Sequence, residues 1–202
     1  MIAALFVESE GIYYNRPDVD CWDKDRDARL YEGPWPIVAH PPCQLWGALA
    51  FVNFKRWGGD HNRPGNDGGC FLSALKNIWR FGGVIEHPKS SHAWKEYGLL
   101  KPEFGKWKLD SNGGWVTEVW QSAYGHLANK ATWLYAVTPN PPDLKWEKIK
   151  GDYQCGCPDR RGKARNKPTL SKKLANGTPI EFAELLLSIA RDSGKNLTNN
   201  RN

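Results

Sequence analysis

Short apolar runs, most of them ending in polar or proline-rich segments, alternate along this chain of 202 residues with two longer amphipathic stretches. Apolar runs of this kind predict β-strands, and five candidates stand out: residues 1–7, 36–40, 84–86, 115–124 and 132–137. Apolar residues at helical spacing predict helices over 68–81 and 179–191. The order strand, loop, helix, strand favours an α/β fold with an open, mostly parallel, Rossmann-like sheet.

The segments between these elements are predicted to be irregular. Residues 9–34 are polar and are expected to form a loop with one short helix, and residues 53–67 a basic, glycine-containing loop. Residues 139–170 are rich in Pro, Gly, Lys and Arg, which predicts a small irregular basic insertion. The α/β core is therefore expected to consist of residues 1–138 and 171–192. Residues 193–202 are expected to form a disordered tail.

The composition is compatible with an anionic partner. The chain carries 28 Lys and Arg against 22 Asp and Glu, a formal charge of +6. Such an excess fits nucleic acid, but it also serves solubility. The 11 Trp residues can stack on unpaired bases or pack within the protein.

The cysteines and the N-terminus bear on the compartment. Five widely spread cysteines, an odd number, favour free thiols in a reducing, cytoplasmic environment. The spacing of Cys155-Gly156-Cys157 is not that of a usual zinc site, so no metal is expected. Residues 1–7 lack the basic region of a signal peptide, and no apolar run is long enough to cross a bilayer. We therefore expect no membrane association.

A candidate nucleophile follows the second predicted strand. In Pro41-Pro42-Cys43-Gln44 the prolines end the strand, because they cannot continue its hydrogen-bonded ladder. A cysteine at this place faces a cleft, where a basic neighbour can raise its thiolate fraction. Structural packing is the alternative role for a single cysteine. Glu86 ends the next predicted strand, and neighbouring strands lie about 5 Å apart, so the sequence predicts that Cys43 and Glu86 face one pocket.

Four motifs occur in the same order as in the cytosine-C5 DNA methyltransferases, which this chain resembles over about residues 36–191. That family has a nucleophile loop, a strand ending in glutamate, a basic residue before an apolar strand, and an asparagine ahead of a helix. The corresponding segments here are Pro42-Cys43-Gln44, Glu86-His87-Pro88, residues 123–137 with Lys130, and Ala175-Asn176-Gly177-Thr178-Pro179. The resemblance implies a compact, divergent relative of phage type that acts on DNA.

The resemblance also implies how the site acts. Cys43 adds to C6 of a cytosine, and Glu86 hydrogen-bonds the activated ring. Neither group can reach a base inside a duplex, so the base is flipped out or already unpaired. Beside Cys43 and Glu86, the catalytic residues that the resemblance implies are Pro42, Gln44, His87 and Lys130.

The methyl donor of that family is S-adenosylmethionine, and the resemblance implies that this chain binds it through Phe6, Asp23, Asp27 and Asn176. The sequence departs from the family directly after the first strand, where residues 5–11 lack the close-packed glycines that let a backbone approach the cofactor. The N-terminal cofactor-binding part is therefore expected to be truncated.

Residues 139–170 correspond to a reduced target-recognition region. Basic side chains on this region and on the loop after Cys43 are expected to hold phosphates. The residues implied are Lys55, Arg56, Arg160, Arg161 and Arg165.

Three functions remain open from the sequence. The first is a base-modifying enzyme that methylates cytosine, makes another C5 substitution or deaminates through the same adduct. The second is a degenerate relative that binds DNA without turnover, as a partner of another chain or as a decoy. The third is an unrelated Cys/His hydrolase, in which Cys43 is the nucleophile and His40, His87 or His126 the base.

Overall fold

The computed structural model describes residues 1–155 and 167–199, and its centre is a seven-stranded sheet. The strands are β1 (Ile2–Leu5), β2 (Val19–Trp22), β3 (Ile37–Ala39), β4 (Gly83–Pro88), β5 (Lys108–Leu109), β6 (Trp115–Trp120) and β7 (Ala131–Val137). The α-helices are α1 (Ala48–Trp57), α2 (Cys70–Phe81), α3 (Ala93–Glu96), α4 (Lys172–Asn176) and α5 (Ile180–Asn199). Short 3-10 turns lie at Ala28–Leu30, Asp60–Asn62 and Gln121–Tyr124.

The sheet is mixed, and the prediction of a mostly parallel sheet was wrong. Its strand order is β2-β1-β3-β4-β7-β6-β5. The three pairings among β2, β1, β3 and β4 are parallel, whereas the three pairings among β4, β7, β6 and β5 are antiparallel. Parallel neighbours need a crossover connection, usually a helix. The segments that join β5, β6 and β7 are too short to hold a crossover α-helix, so these strands reverse direction.

Helices cover both faces of the sheet, which explains why the central strands are continuous apolar runs. Alternate residues of a strand point to opposite faces. Ile2, Val38 and Val84 pack on the side of α5, which we call the α5 face. Their neighbours along the strands, such as Leu5, Ile37 and Ile85, pack on the side of α2, which we call the α2 face. Side chains continue to alternate between the two faces at the polar ends of β3 and β4, where His40 and Glu86 lie.

Gly83 brings β4 close to β3. Its φ angle is +122°, and a Cβ atom at this position would lie 2.0 Å from the carbonyl oxygen of Ile37. Only glycine fits such an approach and such a φ. The glycine pair that ends α2 therefore also sets the lateral position of the strand that carries Glu86.

Several elements differ from the prediction. Helix α1 includes residues 53–57, which were expected to be loop. The sequence did not predict this helix because its exposed apolar residues give no amphipathic period. Strand β2 lies within the predicted loop 9–34 and is only half-buried. The strand expected over 115–124 ends at Trp120. Helix α5 continues to Asn199, so residues 193–199 are helical and not the disordered tail that was expected.

The described residues of the stretch 139–170 form no helix or strand, and Leu144 anchors them on the α5 face. No helix within residues 1–155 and 167–199 is both long and apolar enough to span a bilayer.

Candidate active site

The predicted site lies beyond the carboxyl ends of β1, β3 and β4. In the parallel half of the sheet, the chain passes from β1 outward to β2 and then returns to β3 on the other side of β1. Open α/β sheets bind ligands in the crevice at such a switch point. His40 follows β3, Glu86 lies near the end of β4, and both continue the α5 face. Tyr13, from the loop after β1, packs on the same face.

A chain of hydrogen bonds fixes the Glu86 carboxylate. The Oε2 atom lies 3.1 Å from Nδ1 of His40, and Nε2 of His40 lies 2.9 Å from the hydroxyl of Tyr13. The amide nitrogen of Gln121 donates to Oε1 at 3.0 Å and to the hydroxyl oxygen of Thr132 at 2.9 Å. With its proton on Nδ1, neutral His40 donates to the carboxylate and accepts from Tyr13. Both carboxylate oxygens are therefore held by donors.

The surroundings of Glu86 keep it ionised. Burial alone would raise the pKa of this carboxyl group, since Glu86 is 8% exposed. The hydrogen bond from His40 lowers the pKa of Glu86, and so does the positive charge of Lys130. Together they lower the pKa of Glu86 to about 2. At neutral pH Glu86 is therefore a fixed negative charge.

Cys43 lies within the electrostatic range of this carboxylate. Its thiol is half-buried, and burial followed by the charge of Glu86 raises its pKa, whereas Lys130 lowers it. Both charges act on one sulfur, so Cys43, Glu86 and Lys130 lie near one another at this end of the sheet. That Cys43 and Glu86 face one pocket stays a prediction. The thiol is not activated in this arrangement, because the raising effects of burial and Glu86 exceed the lowering effect of Lys130.

Lys130 is held by the segment that precedes α5. Its ammonium group donates to the main-chain carbonyl oxygens of Asn176 at 3.2 Å and Gly177 at 3.1 Å. The side chain of Asn176 is itself exposed. The segments that carry Cys43, Glu86, Lys130 and Asn176 are far apart in the sequence and meet here. The structure thus brings all four sequence motifs to one end of the sheet.

His87 and Glu86 point to opposite faces of the sheet. His87 is the next residue of β4, so its ring lies on the α2 face between Phe71 and Trp94, and its Nδ1 is 2.7 Å from the hydroxyl of Ser91. Burial lowers the pKa of His87 to about 4. His87 is thus separated from Glu86 but lies against the main chain of Pro41 and Pro42 in the nucleophile loop, and its catalytic role stays a prediction. The resemblance also implies catalytic roles for Pro42 and Gln44. Both flank Cys43 in the nucleophile loop and are exposed.

The residues implied as cofactor contacts do not fit S-adenosylmethionine. The Asp23 carboxylate accepts from the hydroxyls of Ser9 and Tyr14, both at 2.7 Å, and from two main-chain amides. Asp27 pairs with Arg29. Neither carboxylate is left for a ligand.

The turn after β1 also differs from a cofactor cradle. Phe6 adopts a φ of +58° and Glu10 a φ of +60° in place of glycines. Bulky residues rarely adopt this conformation, and their side chains prevent the close backbone approach that glycines allow. Buried Tyr13 occupies the space beyond the end of β3.

The residues implied as phosphate contacts fall into two groups. Lys55 and Arg56 lie on α1 and are exposed. Arg160, Arg161 and Arg165 lie outside the described residues.

Sequence reasoning missed three members of the network. Gln121 donates directly to Glu86. Tyr13 acts through His40, and Thr132 accepts a hydrogen bond from Gln121. His40 was considered only as the base of a hydrolase. One signal was present: a Tyr, a Gln and a Thr that become buried must find hydrogen-bond partners. The pattern of residues does not say which partners these are.

No protein-family model matches this chain, and no curated protein is significantly similar to it.

Replacing Lys130 with methionine is expected to slow the alkylation of Cys43 by iodoacetamide at pH 7.5 by roughly three- to tenfold. Loss of the positive charge raises the pKa of the thiol, because Lys130 is the group that lowers it. The rate is read from the Cys43 peptide by mass spectrometry. Lys89→Met is the matched control, since Lys89 pairs with Glu118 at 2.8 Å. Equal rates for Lys130→Met and the parent would contradict the coupling.

Proposed function

We propose that this chain modifies a pyrimidine base of nucleic acid through covalent addition of Cys43, as the resemblance to cytosine-C5 methyltransferases implies. The observation that carries the proposal is the meeting of Cys43, Glu86 and Lys130 at one end of the sheet. Addition to a polar ring requires a nucleophile, a fixed anion and a cation close to one another.

The topology supports a Rossmann-like origin of the sheet. The parallel strands have the order β2-β1-β3-β4, which is one of the two common doubly wound orders. Strand β7 runs against both β4 and β6, so β6 again points in the direction of β4. We propose that the fold is a reduced Rossmann-like sheet with its cofactor-binding part truncated.

The chemistry of the adduct follows from the ring. The sulfur of Cys43 forms a bond to C6, the electron pair of the C5–C6 double bond moves through C4 to N3, and the thiol proton ends on N3. Ionised Glu86 accepts hydrogen bonds from the new N3–H and from the exocyclic amine. His40 and Gln121 keep the carboxylate in this orientation. The adduct carries an electron-rich C5, which can take a proton from water.

Reversal completes a cycle without a group donor. When C5 has gained one proton from water, it can lose the other, and expulsion of the sulfur restores the double bond. The expected result is exchange of the C5 hydrogen of cytosine with solvent. This reaction tests the site without any assumption about which group is finally transferred.

A single-stranded oligonucleotide containing deoxycytidine, incubated with the protein in D₂O, is expected to gain deuterium at C5. Mass spectrometry of the nucleosides measures it. Cys43→Ser is expected to reduce exchange to background, because the sulfur forms the adduct. Cys70→Ser, which changes another half-buried thiol, on α2, is the control and should exchange like the parent. Absence of exchange in the parent would rule out a turnover-competent adduct.

A second candidate is a DNA-binding relative without turnover. The observation that favours it is the pKa of Cys43, which burial and Glu86 raise above its usual value of 9.0, so the free thiol is protonated at neutral pH. This candidate expects salt-sensitive DNA binding that survives Cys43→Ser, together with no C5 exchange in the parent.

The geometry does not favour a Cys/His hydrolase. Both ring nitrogens of His40 are engaged by Tyr13 and Glu86, and His126 bonds the main chain of Ala128. Among residues 1–155 and 167–199, no hydrogen bond joins Cys43 to a histidine.

A further inference from the structure

Helix α1 exposes large apolar side chains on the surface next to the candidate site. Five of its ten residues are large and apolar with exposed fractions between 37% and 67%, namely Leu49, Phe51, Val52, Phe54 and Trp57. Ala50, by contrast, is fully packed against the protein. An exposed apolar patch of this kind marks a surface that another molecule covers.

The charge of this surface is positive. Helix α1 carries Lys55 and Arg56 and no acidic residue, and residues 44–59 contain neither Asp nor Glu. The guanidinium of Arg56 lies 4.7 Å from the centre of the Trp57 ring, so a cation and an indole are exposed side by side. Aromatic rings beside basic side chains are the combination that binds unpaired nucleic-acid strands, because rings stack on bases and cations neutralise phosphates.

The helix is fixed relative to Cys43. It begins at residue 48, and the turn that connects it to Cys43 is anchored by buried Trp46, whose indole nitrogen donates to Asp67 at 2.9 Å. The main-chain amide of His92 donates to the carbonyl oxygen of Trp46, and the ring of His92 lies edge-on to Phe51 at 4.7 Å. A strand lying on α1 would therefore pass directly beside the nucleophile loop.

We propose that the exposed side of α1 is the platform for an unpaired nucleic-acid strand that flanks the base at Cys43. Trp57, Phe51 and Phe54 stack on neighbouring bases, and Lys55 and Arg56 hold their phosphates. The choice of nucleic acid rests on the proposed function. Charge complementarity also favours it over a second copy of the chain, since two copies joined through α1 would bring Lys55 and Arg56 of each copy together.

The test uses Cys43→Ala protein, so that no covalent step contributes, and a fluorescein-labelled single-stranded DNA oligonucleotide of 12 nucleotides. Fluorescence anisotropy gives the dissociation constant at several salt concentrations. Adding Trp57→Ala is expected to weaken binding about tenfold, the effect of losing one stacked base. Adding Lys55→Gln and Arg56→Gln together is expected to reduce the slope of log affinity against log salt by about 1.4, since each phosphate contact on a single strand contributes about 0.7.

Two matched controls lie away from α1. Leu30→Ala removes another side chain that is 67% exposed, and Lys76→Gln removes a charge on the exposed side of α2. Both should bind like the Cys43→Ala parent. Equal affinity of Trp57→Ala and the parent, or no binding at low salt, would overturn the platform. So would light scattering that shows a dimer in the parent and a monomer in Trp57→Ala, because a second copy would then cover α1.

The outcomes separate this inference from the proposed function. Binding that depends on α1, without C5 exchange by the unmodified chain, would keep the platform and remove the enzyme. C5 exchange with unchanged binding by Trp57→Ala would keep the enzyme and remove the platform.

Discussion

Replacing Glu86 with glutamine is expected to lower C5 exchange by about 10²- to 10³-fold while making Cys43 more reactive towards iodoacetamide. The loss follows because the variant lacks the fixed negative charge that accepts hydrogen bonds from N3–H and from the exocyclic amine. The gain follows because Glu86 raises the pKa of the Cys43 thiol. Without this charge the thiolate fraction rises, and alkylation at pH 7.5 should accelerate by roughly three- to tenfold.

Partial unfolding would give the same two changes, because it would end exchange and expose the half-buried Cys43 to iodoacetamide. Glu118→Gln is therefore the matched control, and urea unfolding of Glu86→Gln at neutral pH shows whether that variant is folded. Glu118 is a buried carboxylate on β6 whose oxygens accept from Lys89 and Trp133. Its replacement should leave both the exchange and the Cys43 alkylation rate near those of the parent. Slower alkylation in Glu86→Gln would contradict the electrostatic coupling.

Acid is expected to destabilise the fold in two successive pH ranges. The pKa of buried His87 falls from its usual 6.5 to about 4, so only the unfolded chain binds its proton as the pH drops from 6.5. Stability is therefore full above pH 6.5 and is lost as the pH falls to 4. Glu86 has a folded pKa of about 2 against a usual 4.5, so its contribution is lost between pH 4.5 and 2. Each group accounts for about 3 kcal/mol.

Urea unfolding at several pH values measures this loss. His87→Asn should remove most of the pH dependence between 6.5 and 4, although its stability at pH 7 is lower because a packed ring is lost beside Phe71 and Trp94. Glu86→Gln should reduce the dependence between 4.5 and 2, to which the lowered pKa values of Asp23 and Glu103 also contribute, and leave the upper range intact. An unchanged slope above pH 4 in His87→Asn would show that another group causes the loss.

The sequence predicted those parts of the fold in which the apolar positions along the chain are the buried ones. Strands β1, β3 and β4 are apolar runs because both of their faces are covered, and α2 has a clear helical period. The direction of β7 was not predictable, since an apolar strand reads the same whether it runs parallel or antiparallel to its neighbour. Helix α1 was missed for a different reason: helix prediction relies on an apolar stripe turned inward, and α1 turns its apolar residues outward.

The candidate site shows a similar division. Cys43 and Glu86 were identified because each follows or ends an apolar strand, and polar residues at these ends face a crevice. Tyr13 comes from a predicted loop and Gln121 from the end of a predicted strand, and only the folded chain brings them to Glu86 and its partner His40. Asp23 had the composition of a ligand contact, but its oxygens are used to hold the turn that contains Ser9 and Tyr14.

The alternation of Glu86 and His87 along β4 has a consequence for how the sheet assembles. Glu86 lies opposite Leu134 of β7, and His87 opposite Trp133. A slip of β4 by one residue would turn the carboxylate towards Phe71 and Trp94 and remove it from its donors. An ionised group in such an apolar cluster would cost several kcal/mol. Glu86 and His87 are adjacent and need different surroundings, so they fix the register of β4. The other side chains in contact at this position are largely apolar and would tolerate a shift.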